Sequence, residues 1–129
     1  ITFTGYLSQD AVAGVLDQAD LLVLPSFAEG VPVVLMEAMA SGVPVVTTQI
    51  AGVAELVREG SGRLVPPGDV DALVVELARL LRASADRLSM GQAGRAVVDQ
   101  DFNVTDEAAW LSALFQSYAS GSPAKGKRP

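Results

Sequence analysis

Two short apolar runs separated by a helix-sized segment are the tightest constraint on the fold. Residues 20–26, "DLLVLPS", and residues 43–48, "VPVVTT", are continuously apolar rather than alternating. A strand wetted on one face alternates apolar and polar residues, whereas a continuous run belongs to a strand covered on both faces. The intervening segment has Pro32 near its start and Gly42 at its end. Proline suits the first turn of a helix, where its missing N–H has no partner to lose. Glycine suits the position just past the last turn. Strand, helix and strand in that order, with both strands doubly covered, require a parallel sheet flanked by helices.

The same alternation extends in both directions. Residues 1–7, "ITFTGYL", alternate and predict a short strand. Residues 8–20 predict a helix capped by Ser8, with Val12, Val15, Leu16 and Ala19 on one face. A short helix over 51–59, ended by Gly60, precedes a fourth strand at 62–66. Asp69 caps a helix over 70–83 that turns Leu73, Leu77, Leu80 and Leu81 to the core. Residues 86–98 predict another helix in spite of Gly91 and Gly94, which weaken helices. Asn103 or Thr105 caps a last helix, and its stripe of Trp110, Leu111, Leu114, Phe115 and Tyr118 reads as core. The fold class is therefore α/β, a Rossmann-like parallel sheet flanked by helices, in one domain over residues 1–120. The last residues, 121–129, "GSPAKGKRP", have the composition of a disordered tail.

Composition narrows the chemistry. With 129 residues, half of them hydrophobic, the chain has material for one core. A net charge of −6, with Lys125, Lys127 and Arg128 in the tail as the only basic cluster, argues against nucleic acid as a partner. The lack of cysteine rules out a disulfide framework and suits a reducing compartment. The lack of histidine removes the usual general base and the commonest metal ligand. Neither a Ser-His-Asp triad nor a Cys/His zinc site is possible within this chain. No apolar run reaches the roughly 18 residues of a membrane span, and no signal peptide is visible, so a cytoplasmic location is expected. The chain runs from Ile1 straight into strand-like sequence, as a fragment of a longer protein would.

Within residues 26–42, "SFAEGVPVVLMEAMASG", two carboxylates stand out: Glu29 and Glu37, with seven residues between them and no Lys, Arg or His nearby. Acidic side chains are seldom buried without a partner. In open parallel sheets, ligands bind beyond the carboxyl ends of the strands. The strand at 20–26 ends at Pro25-Ser26, which puts Glu29 and Gly30 in such a place. The helix start near Val31 offers unpartnered N–H groups and the positive end of a dipole, a site for phosphate. Carboxylates in turn accept hydrogen bonds from hydroxyls. Together these features describe a nucleotide sugar, with its diphosphate on the helix start, one carboxylate on the transferred sugar and the other on the ribose. Each residue also has a plainer reading. Glu29 and Glu37 are then solvated charges, Ser26 a turn cap, Tyr6 a packing aromatic, and Glu55 a first-turn acid favoured by the helix dipole.

The stretch "PSFAEGVPVVLMEAMASGVPVV" resembles the E-x7-E signature of the family-4 retaining glycosyltransferases, in the setting "PS…EG.P…LEA.A.G.PVV". "GVAELVREGSGRLVPPGDVDAL" and "MGQAGRAVVDQDF" continue the likeness to about Tyr118. The resemblance implies the C-terminal, donor-binding part of a GT-B fold. It implies that Glu29, as the catalytic-site carboxylate, meets hydroxyls of the donor sugar. Ser26 and the backbone of Gly30, Val31, Pro32 and Val33 would line sugar and phosphate, Glu37 would hold the ribose, and Tyr6 and Leu7 would border the base. It further implies sugar transfer from a nucleotide donor with retention of configuration, and no metal or separate cofactor. An Arg and Lys pair, two further strands and an acceptor-binding N-terminal domain would lie upstream of Ile1. On that reading the chain alone neither completes its sheet normally nor catalyses transfer, and the whole protein sits in the cytoplasm, at the inner membrane face if peripherally attached. Sugar-nucleotide epimerases of the same fold, and a non-catalytic nucleotide-binding module, are the alternatives.

Overall fold

The structure is a computed structural model that describes residues 1–121. The expected tail, with Lys125, Lys127 and Arg128, lies outside the described residues apart from Gly121, which closes a turn. Nine elements follow in order: α1 (Gln9–Leu16), β1 (Leu22–Leu24), α2 (Val33–Ala40), β2 (Val45–Thr48), α3 (Val53–Leu56), β3 (Arg63–Val65), α4 (Val70–Arg82), α5 (Ser84–Asp101) and α6 (Val104–Ala119). The three strands form a parallel sheet in the order β1-β2-β3. Leu24 stands opposite Thr47 in the first pair and Thr47 opposite Leu64 in the second.

Strand β2 is the axis of the molecule, and all four of its residues are buried. Successive strand side chains point to opposite faces, and Val45 and Val46 enter different cores. Val45 packs with Leu16, Leu35, Met39, Val53 and Leu56, under α1, α2 and α3. Val46 packs with Val65, Leu80 and Met90, under α4 and α5. This is the doubly covered strand that "VPVVTT" requires. "DLLVLPS" is less covered: the residues of β1 are only partly buried, because among the described residues β1 pairs on one side alone.

The caps fall where the side chains demand them. Ser8 accepts from the Ala11 N–H at 3.3 Å, Asp69 from Ala72 at 2.9 Å, and Asn103 from Thr105 at 2.9 Å. Pro32 is the N-cap of α2, one position ahead of the first helical residue. Gly42, with φ +76°, ends the helix as expected.

Several expectations give way. Residues 1–7 form no strand, and Ile1, Phe3 and Tyr6 are exposed. Alternation makes a strand only where a ladder partner exists, and among the described residues none reaches them. Val15 and Leu81 are exposed, at the outer edges of their helical stripes. Helix α5 runs longer than expected, and α3 shorter. The aromatic stripe of α6 is not core: Phe115 and Tyr118 are exposed, and the helix has no buried residue.

Candidate functional site

The loop between β1 and α2 leaves the sheet at its carboxyl edge. Ser26 is partly buried and residues 27–31 are exposed. The Ser26 hydroxyl donates to Glu29 Oε1 at 2.9 Å, which leaves the second carboxylate oxygen free to accept. Pro32 is buried and its carbonyl accepts from the Leu35 N–H at 3.1 Å and the Met36 N–H at 3.3 Å. The N–H groups of Gly30, Val31, Val33 and Val34 make no hydrogen bond among the described residues. Pro32 supplies no side-chain cap, so these donors stay open to a ligand or to water. One turn on, Glu37 lies partly buried in α2, and its carboxylate makes no hydrogen bond or ion pair among the described residues. Its flanking neighbours Leu35, Ala38 and Met39 are all buried.

The two acids, Ser26, Gly30, Val31, Pro32 and Val33 thus fall within one loop and one helix, as the sequence requires. Tyr6 is 97% exposed, Leu7 is partly buried, and both precede α1 in a segment without regular structure.

Two supporting residues escape the sequence reading. Thr48, the last residue of β2, donates through Oγ1 to the carbonyl of Ser26. Gly52, with φ +75°, lies against the main chain of Gly30. Two consecutive threonines closing a buried strand are the signal that points to the first.

Two hollows lie among the described residues, and neither is lined by Glu29 or Glu37. An apolar one of about 240 Å³ lies at the carboxyl ends of the strands, among Pro25, Phe27, Thr48, Val65 and Pro66. A wider cleft of about 730 Å³ separates α3 from the end of α5 and the start of α6, and is lined by Glu55, Arg58, Asp101, Phe102 and Trp110. Among the described residues no cluster of His, Cys, Asp or Glu is placed to hold a metal ion, and no helix is long and apolar enough to cross a membrane.

Fold and loop define a Rossmann-like α/β protein whose candidate site lies beyond the carboxyl ends of its strands. The chain belongs to the family described as glycosyl transferases group 1, whose profile matches residues 1–83. It is 42% identical over 125 residues to a putative colanic acid biosynthesis glycosyltransferase of Salmonella typhimurium, covering 91% of this chain and 31% of that one. It is 41% identical over 110 residues to the amylovoran biosynthesis glycosyltransferase of Erwinia amylovora, covering 80% of this chain and 27% of that one. The chain therefore spans about a third or less of the curated relatives it matches. Among solved structures, sucrose-phosphate synthase from Thermosynechococcus elongatus superposes with a TM-score of 0.88 at 33% identity, over 94% of this chain and 31% of that one. HepE of Anabaena, solved with UDP-glucose, superposes with a TM-score of 0.77 at 26% identity, over 82% of this chain and 30% of that one. These neighbours are GT-B glycosyltransferases, and the sheet is that of a GT-B C-terminal part.

Proposed function

We propose that this chain is the donor-binding region of a retaining glycosyltransferase, which moves a sugar from a nucleoside diphosphate to an acceptor. One observation carries the reading: a carboxylate fixed by Ser26 stands directly ahead of four unpartnered amides at the start of α2. A diphosphate accepts from those amides at the positive end of the helix. Glu29 accepts from hydroxyls of the sugar, and Glu37, whose partly buried carboxylate has no partner among the described residues, accepts from the ribose. Support also comes from the UDP-glucose held by the Anabaena neighbour. Residues 26–42 contain no Lys or Arg, so we assign the cations that stabilise the leaving diphosphate to another part of the protein. We assign the acceptor site, and any contact with a membrane surface, there as well.

The reading is tested by following the amide resonances of the chain during titration with UDP, GDP and ADP and their sugars at millimolar concentration. Shifts are expected at Gly30, Val31, Val33 and Val34 for the preferred nucleotide. Glu37→Gln should weaken every nucleotide ligand roughly tenfold, because a charge-assisted hydrogen bond becomes a neutral one. Glu29→Gln should weaken the sugar-bearing ligands alone. If none of the three nucleotides moves these four amides, the assignment fails.

A further inference from the structure

We propose that Thr48 is a positioning residue for Glu29, acting through the main chain of the donor loop. The inference rests on the function proposed above and deepens it. The ladder between β1 and β2 ends at Leu24 and Thr47. Beyond that pair the loop has no strand to hold it, and side-chain hydroxyls from β2 take over. Thr47 Oγ1 donates to the carbonyl of Leu24 at 2.8 Å, and Thr48 Oγ1 to that of Ser26. Thr48 is 2% exposed, and its β-branch restricts χ1, so this donor has little freedom to wander. Ser26 then passes the constraint on, its own hydroxyl donating to Glu29 Oε1 at 2.9 Å.

A second contact holds the far end of the same loop. A Cβ at Gly52 would lie 2.1 Å from the carbonyl oxygen of Gly30, so the turn before α3 abuts the peptide between Gly30 and Val31. The loop is thus held at both ends by one segment of chain, residues 48–52. A carboxylate that must meet particular hydroxyls of a transferred sugar needs such placement, because small displacements in a reacting geometry are expensive. The nucleotide part relies on the amides of Gly30, Val31, Val33 and Val34, which are held separately, the first two by the contact with Gly52 and the start of α2 by the buried Pro32. Thr48 should therefore govern the increment that the sugar adds to binding and leave the nucleotide's own affinity alone.

The experiment measures UDP and UDP-glucose affinities side by side, with 15N relaxation of the Phe27 to Glu29 amides in the ligand-free chain. Thr48→Val should raise the mobility of those amides. It should cut the ratio of UDP-glucose to UDP affinity roughly three- to tenfold, the worth of one hydrogen bond, with UDP unchanged within about twofold. Thr48→Ser keeps the hydroxyl and should restore both. Glu29→Gln should remove the same increment, and Thr48→Val in that background should remove no more. Equal weakening of UDP and UDP-glucose, failure of Thr48→Ser to restore, or additive losses in the double variant would each overturn the positioning role. If the wild-type chain gains nothing from the sugar, the donor reading of Glu29 is what fails. The relaxation arm still decides the anchoring, which is overturned if the Phe27 to Glu29 amides are equally rigid in Thr48→Val.

Discussion

Gly52 lacks a side chain because the main chain of the loop between β1 and α2 occupies the place where one would stand. Its φ of +75° already disfavours any L side chain, and the carbonyl of Gly30 fills the space. Gly52→Ala therefore adds left-handed strain of about 1–2 kcal/mol to an overpacking cost of about 1–3 kcal/mol. Urea unfolding should report a loss of roughly 2–5 kcal/mol, with the largest amide shifts at Gly30 and Val31; a loss below about 0.5 kcal/mol would mean that the loop yields freely. Glu29 and Glu37 were legible in the sequence because two acids in an apolar stretch without bases call for an outside partner. Thr48 and Gly52 were not. They act across the chain, Thr48 on a carbonyl 22 residues away; the paired threonines of "TTQIAG" mark a strand end, and nothing local says which carbonyl the second one reaches.

Helix α5 shows how an element can contradict its own propensity. Gly91 and Gly94 cost it roughly 1 kcal/mol each relative to alanine, yet the helix runs unbroken from Ser84 to Asp101. Both glycines are buried, and the helix packs against α2 through them. A Cβ at Gly91 would lie 1.9 Å from the carbonyl oxygen of Gly42, and one at Gly94 would lie 3.2 Å from that of Ser61 and 3.4 Å from the Met39 side chain. The two sites should respond differently to alanine. At Gly91 the obstacle is backbone, so overpacking of about 1–3 kcal/mol outweighs the propensity gain of about 1 kcal/mol, and α5 must shift away from α2. At Gly94 the Ser61 carbonyl need give by only a few tenths of an ångström, and the opposing effects should leave stability within about 0.5 kcal/mol of wild type. Denaturant midpoints of the two variants, measured together, check this, and equal midpoints would contradict it. The alternation of strands and helices was readable from apolar runs, caps and terminal glycines. The glycines of α5 looked like weaknesses because a sequence shows the helix that a glycine weakens and not the neighbour that it admits.

At the scale of the whole molecule, stability is concentrated around β2 and thins towards the last helix. Strand β2 supplies both cores, through Val45 on one face and Val46 on the other. Helix α6 supplies neither: it has no buried residue, and only Glu107, Trp110, Leu114 and Ser117 are even partly covered. The stripe from Trp110 to Tyr118 read as core because periodicity identifies an apolar face without saying what lies opposite it. Here that face turns onto the cleft beside Arg58 and Phe102 at Trp110 and is exposed at Phe115 and Tyr118. A helix of 16 residues is marginal in water without tertiary packing, so α6 should open separately from the sheet. Trp110 is the only tryptophan of the chain, and its fluorescence reports on α6 alone. In a urea titration the fluorescence change should come to its midpoint before the amide signals of Val45 to Thr48 are lost. Trp110→Ala should move the loss of those β2 signals by less than about 1 kcal/mol, because the residue belongs to neither core. Coincident fluorescence and β2 transitions would show instead that α6 is part of the cooperative unit, held more firmly than its burial implies.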